Sequence, residues 1–239
     1  MWPTRLPDHR ARTVLISGES LKLAQSIEAL GIESITTQAD FRLPKPVAWH
    51  PDMQVAVLCD GTTFITKENP LSTKLRQLDI LTIETAAKPE NKYPKDVLCN
   101  ILAWEGGTVG NPHTIDKKIM SVLDSNFVPV KQGYTACSTV LVDKHSAITA
   151  DLGMANALET CNMDVLRIRP GYIQLPGYNY GLIGGCCAMI APDQMVVAGS
   201  LENHPDGTRI QTFLAQRDIR LVELVKGPLT DVGGILSLR

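Results

Sequence analysis

The sequence predicts an α+β fold made five times over from one β-β-α-β unit. Three observations carry this. Apolar hairpins recur along the chain: "VAVLCDGTTFIT" from Val55, "NILAWEGGTVGN" from Asn100, "STVLVDKHSAITA" from Ser138 and "CAMIAPDQMVVAGS" from Cys187. Their turn acids Asp60, Glu105, Asp143 and Asp193 lie 45, 38 and 50 residues apart (105 − 60, 143 − 105, 193 − 143), a plausible period for one supersecondary unit. After each hairpin come a helix-start signal, a short amphipathic stretch and one more strand.

The start signals are Asn69-Pro70, Asn111-Pro112, Asp151 and Asp206. There an Asn or Asp side chain can cap free N–H groups, and proline suits a first turn. Helical stretches such as "HTIDKKIMSVLD" and "GTRIQTFLAQ" follow, then the closing strands "ILTIET", "FVPVKQ", "DVLRIRP" and "RLVELV". The fifth copy is split between the ends. "GGILSLR" supplies its first arm, "TVLISGES" its second, and helix "SLKLAQSIEAL" with strand "SITTQ" completes it. Pairing of the two terminal strands would close the set without an exposed sheet edge. A doubly wound α/β sheet also alternates strands and helices. It would lack hairpins before its helices, and "GYNYGLIGG" does not satisfy GxGxxG.

With 239 residues, 44% of them hydrophobic, the chain can bury a substantial core, read as one domain over 1–239 with residues 1–12 as an N-terminal extension. A formal charge of −2 gives no basic excess directed at nucleic acid or an anionic membrane. The first thirteen residues carry no apolar signal core, and "YGLIGGCCAMIAP" is too short and glycine-rich to span a bilayer, so a cytoplasmic protein is expected. Six cysteines form no CxxC pair, which argues for reduced thiols rather than a disulfide framework or a zinc ribbon. No P-loop, HExxH or GxSxG occurs, and neither metal nor cofactor is expected.

Five β-β-α-β units, with "HPDMQ", "QGYTACS", "IQLPGYNYGLIGG" and "DVGGIL", resemble a bacterial family of the guanidine-modifying (pentein, or β/α-propeller) fold. That fold arranges its units round a pseudo-five-fold axis. The resemblance covers nearly the whole chain after residue 12. It implies kinship with arginine and agmatine deiminases, dimethylarginine hydrolases and amidinotransferases, whose cysteine attacks the guanidinium carbon, whose histidine serves the leaving amine and whose carboxylates hold the guanidinium. A guanidinium is a poor electrophile, so covalent catalysis divides the difficulty, and a carboxylate matches its planar donor fork.

Carried over residue by residue, the H-x-D pattern falls on His50-Pro51-Asp52, and the cysteine on Cys137, 87 residues later (137 − 50) and two units on. Many members hold that cysteine near the C-terminus, where this chain has Ser237. The site would therefore be rotated round the ring. Asp231, before Gly233-Gly234, is the loose match to a second substrate carboxylate. The resemblance thus implies Cys137 as nucleophile, His50 as acid and base, Asp52 and Asp231 as substrate carboxylates, and a small guanidino or amidino compound as ligand. The fold also includes a ribosome-binding initiation factor without a catalytic site, which leaves a binding protein as the alternative.

Each residue has a structural reading as well. Free cysteine is commonly a small core residue. His50 and Asp52, read as alternate strand positions, face one pocket, although Pro51-Asp52 also suits a surface turn. Asp151 has a role as a helix cap. His113 and His204 are explained by helix starts, and His145 by a hairpin turn. The loop over residues 171–185 offers Tyr172, Tyr178 and Tyr180, with Tyr178 and Tyr180 expected to line the pocket. Cys186 and Cys187, if both are in a strand, point to opposite faces.

Overall fold

The computed structural model describes residues 3–239. Its fifteen strands form five separate three-stranded sheets, each with an antiparallel pair followed by a parallel third strand. Unit one combines β1 (Thr13–Ile16), β2 (Glu33–Thr36) and β15 (Leu236–Ser237); the last pairs antiparallel with β1, Val14 opposite Ser237 and Leu15 opposite Leu236. The split fifth copy is thus one sheet made from both ends of the chain.

Unit two holds β3 (Val55–Val57), β4 (Thr63–Ile65) and β5 (Thr82–Glu84). Unit three holds β6 (Leu102–Trp104), β7 (Gly107–Gly110) and β8 (Phe127–Pro129). Unit four contains β9 (Thr139–Asp143), β10 (Ser146–Thr149) and β11 (Asp164–Arg167), and unit five β12 (Cys187–Ala191), β13 (Gln194–Val197) and β14 (Arg220–Glu223). Each first arm is buried along its length, whereas the third strands are half exposed, which explains why the first arms are the most apolar stretches of the sequence.

The parallel crossovers run through helices. They are α1 (Leu21–Ala29), α3 (Leu71–Gln77), α4 (Lys117–Met120), α6 (Leu152–Thr160) and α8 (Gly207–Ala215), while the short turns α2 (Pro51–Gln54), α5 (Thr135–Ser138) and α7 (Ile183–Cys186) precede first arms. Ser20 caps α1 by accepting from Leu23 N, and Asp151 caps α6 by accepting from Met154 N. Asn69 likewise accepts from Leu71 N.

Two expected caps turn out otherwise. Asn111 accepts from His113 N in a turn, and α4 starts only at Lys117, capped by Asp116. The helix expected over "HTIDKKIMSVLD" is therefore a single turn. Asp206 precedes α8 but makes no cap bond; its carboxylate takes Arg169 and Arg209 instead, because two guanidinium groups offer stronger charge-assisted bonds.

Apolar clusters join successive units. Leu15 and Leu236 pack with Val55 and Ile65 between units one and two. Ala56 and Phe64 meet Ile101 and Ala103 between units two and three, and Leu102 and Val109 meet Leu141 and Leu158 between three and four. The largest cluster unites units four, five and one, with Val140, Ile190 and Val14 as examples. Among the described residues no helix is long and apolar enough to cross a membrane.

Candidate active site

The segments just before the five first arms converge, and glycines permit the convergence. A Cβ on Gly184 would stand 2.2 Å from Ala136 O and 2.8 Å from Cys137 O; one on Gly185 would stand 1.9 Å from Asp231 Oδ1. Gly233, at φ +76°, would meet the His50 Cβ at 2.2 Å. Units one, two, four and five thereby press Asp231, His50, Asp52 and Cys137 together, and unit three adds Asn100.

Cys137 lies in α5, two residues before β9, so it belongs to the turn that leads into the hairpin and not to the hairpin itself. Its thiol donates to Asp52 Oδ2 at 2.8 Å and accepts from Asn100 Nδ2 at 2.9 Å. Asn100 Oδ1 accepts from the backbone N–H groups of Ala136 (2.8 Å) and Cys137 (3.3 Å), so one amide side chain fixes both the turn and the sulfur. The flanking hydroxyls also serve the turn: Thr135 Oγ1 donates to Asn100 O and Ser138 Oγ to Thr135 O.

His50 and Asp52 are not alternate residues of a strand either. His50 is the extended residue before α2, Pro51 opens that turn and Asp52 is inside it. Proline fixes φ and needs no N–H partner there, so the chain turns at once and aims the two side chains differently. Asp52 reaches Cys137, whereas His50 Nδ1 lies 3.8 Å from Asp231 Oδ1. Asp231 is held by Leu182 N (2.9 Å, to Oδ2) and Gly233 N (3.0 Å, to Oδ1).

Electrostatically the centre is at rest. Burial, reinforced by the Asp231 charge, raises Asp52 to about 7. Burial likewise raises Asp231 to about 6 against the pull of its two backbone N–H bonds, and lowers His50 to about 4. Neutral His50 beside Asp231 at 3.8 Å is a polar contact, not an ion pair, at neutral pH. Burial, then Asp52 and Asp231, pushes the Cys137 thiol well up, so it is protonated.

An open cavity of about 620 Å³ reaches His50 and Asp231, with Lys22, Lys45 and Lys226 on its lining and Leu175 in its wall. Cys137 is only 3% exposed, packed in an apolar cluster with Met53, Val97, Leu175, Leu182 and Tyr134. The 171–182 loop therefore covers the thiol and borders the cavity. Tyr178 lines a neighbouring surface pocket of about 470 Å³ with Leu175; Tyr180 is 46% exposed and the structure does not bring it to Cys137. Cys186 and Cys187 depart from the expected opposite faces. Cys186 ends α7 before the strand begins, and the two sulfurs lie 3.7 Å apart. Ser237, at the location usual for the cysteine, donates to Met189 O in the sheet between units.

Among the described residues no cluster of three or more His, Cys, Asp and Glu side chains could hold a metal ion. Three participants escaped the sequence reading. Asn100 stands two residues before β6, as Cys137 stands two before β9, so superposing the repeats would have found it. Asp96 accepts from Tyr134 Oη at 2.8 Å under the same cover, and Arg5 comes from the N-terminal extension; neither carries a local signal.

A family model described as "Family of unknown function (DUF6873)" matches residues 15–236. The chain belongs to that family. No curated protein matches this DUF6873 chain by sequence. Among solved structures it is similar to the inosamine-phosphate amidinotransferase of Streptomyces griseus, with TM-score 0.62, 11% identity, and 100% of this chain and 97% of that one covered. It is similar to agmatine deiminase from C. jejuni, with TM-score 0.57, 11% identity, and 94% and 90% covered. DDAH from Pseudomonas aeruginosa, a cysteine-to-serine mutant complexed with citrulline, gives TM-score 0.55, 10% identity, and 94% and 96% covered. At such identities the likeness is one of fold: the DUF6873 chain is related to the pentein-fold proteins, as its motifs suggested.

Proposed function

We propose that this protein is a cysteine-dependent guanidine-modifying enzyme that breaks a C–N bond of a small guanidino or amidino compound. The five units would form a closed ring round the site, a reading supported by the β1–β15 pairing and by the apolar clusters joining successive units. One observation carries the functional reading: a thiol, two buried carboxylates and a buried imidazole from three units lie in one cluster beside a cavity.

In this reading a guanidinium sits against Asp52 and Asp231, whose charges it neutralises. Its positive charge beside Sγ favours the thiolate, which burial and the two carboxylates disfavour. His50 takes the thiol proton as Sγ attacks the guanidinium carbon, the C–N bond to the leaving amine breaks, and His50 returns that proton to the amine. Water, or a second amine in a transferase, then displaces the sulfur with its proton taken by His50. Tyr178 borders the route of access. Reduced cysteines throughout fit a cytoplasmic setting.

The protonated, covered thiol favours a second reading, a pentein that binds a metabolite or macromolecule without chemistry. One experiment separates the two. The protein is incubated with a panel of guanidino and amidino compounds, and ammonia, amine and ureido products are followed by mass spectrometry, with a haloacetamidine label in parallel. Turnover and labelling of Cys137 that vanish in Cys137→Ser and His50→Asn support the enzyme. Uniform slow labelling of all six cysteines without turnover supports the binding protein.

A further inference from the structure

Asp52 spends one oxygen on Cys137. Its other oxygen, Oδ1, is buried and has no hydrogen-bond partner among the described residues. Arg5 shows the complementary deficit: its Nε is buried and equally without a partner. Both side chains line the same small cavity, about 10 Å³ in volume, with Pro51, Gly233, Gly234 and Leu236. That is space for about one water, and a buried donor and acceptor on either side of it give such a water two partners. The extension that carries Arg5 is itself anchored, Thr4 N donating to Ser237 O at 2.9 Å beside β15.

We propose that Arg5 is a positioning residue for the candidate site, holding Asp52 through Oδ1 so that Oδ2 stays on the Cys137 thiol and setting a guanidinium beside the carboxylate. An arginine suits this because it stays charged when buried, whereas a lysine would tend to give up its proton. The titratable groups facing Asp52 and Cys137 are Arg5, Asp231 and, through Asp231, His50, with Tyr134 and its partner Asp96 on the covering side of the thiol. The contact's catalytic meaning rests on the guanidine chemistry proposed above; its existence does not.

The test follows Cys137 alkylation by iodoacetamide against pH, resolved by peptide mass spectrometry so that exposed Cys59 serves as internal control. Arg5→Met should raise the pH midpoint of Cys137 reactivity by about one unit, slowing the reaction roughly tenfold below the midpoint. Cys59 should be unchanged, and Arg5→Lys should recover only part of the rate, because a buried lysine tends to give up its proton. A folded Arg5→Met protein with the wild-type midpoint overturns the proposal. Should Arg5→Met fail to fold, the Nε–H resonance of Arg5 in wild-type protein, assigned by its loss in Arg5→Lys, decides: it should step with the titration of Asp52 and not in Asp52→Asn, and a featureless resonance overturns the proposal. A shifted midpoint without any turnover of guanidino compounds would keep Arg5 in this role and sink the enzyme reading alone.

Discussion

The Cys137 thiol donates to Asp52 Oδ2 across 2.8 Å although the two residues are 85 positions apart in the chain, so nucleophile candidate and carboxylate candidate rest as a hydrogen-bonded pair. Burial first, and then the Asp52 and Asp231 carboxylates, keep the proton on the thiol, and Asp52 is the carboxylate that meets it directly.

Stability should therefore depend on pH through Asp52. Its carboxyl titrates near 7 in the fold and near 3.8 in the unfolded chain, so the stability it contributes is present below about pH 4 and lost as pH rises through 7. Asp231 acts in the same sense up to about pH 6. His50, lowered to about 4, acts oppositely: its contribution is present above 6.5 and lost as pH falls towards 4. In Asp52→Asn the first loss disappears. Urea denaturation should show the variant improving relative to wild type between pH 4.5 and pH 8 by on the order of 2 kcal/mol; a pH-independent difference would count against a raised Asp52.

Asn100→Ala should destabilise the protein strongly. It strips the acceptor from Ala136 N and Cys137 N, both buried, at a cost of about 2–4 kcal/mol. Asn100→Asp keeps the acceptor but sets a charge beside Sγ, so Cys137 should alkylate more slowly than in wild type. Denaturation midpoints and peptide-resolved labelling measure the two effects.

Gly185→Ala should displace Asp231. The added Cβ would lie 1.9 Å from Oδ1, which forces the carboxylate off Leu182 N or Gly233 N. A loss of roughly 1–3 kcal/mol is expected in thermal or chemical unfolding, and a stability equal to wild type would show that the centre is more loosely packed than described.

Leu175→Ala should uncover Cys137. Leu175 packs against the apolar cluster that holds the thiol and borders the cavity, so truncating it should speed alkylation of Cys137 by about tenfold, the change that goes with favouring the open form by about 1.4 kcal/mol. Cys99, buried elsewhere, should be unaffected. Equal rates at Cys137 in variant and wild type would place the barrier to access somewhere else.

The units were legible because hairpins, turn acids and the Ser20 and Asp151 caps are local signals, decided by residues a few positions apart. The same locality misled where a tertiary partner competed. Asp206 reads as a cap until Arg169 arrives from the end of unit four and Arg209 reaches back from the first turn of α8, and "HTIDKKIMSVLD" reads as a helix although only Lys117–Met120 forms one. His50, Asp52, Cys137 and Asp231 could be named from motifs. The strand reading of His50 and Asp52 was wrong because a four-residue turn before a strand has no periodicity of its own.

By itself the sequence determined the repeat, the five hairpins with the split copy among them, and which side chains bear chemistry, because short-range apolar patterning and turn chemistry set these. Only the tertiary structure decided that Asp52 rather than His50 reaches the thiol, that Asn100 fastens it, that Leu175 covers it and that Arg5 shares a cavity with Asp52. Those relationships join segments 37 to 85 residues apart. They depend on how closely glycines let backbones approach, a distance that no local pattern encodes.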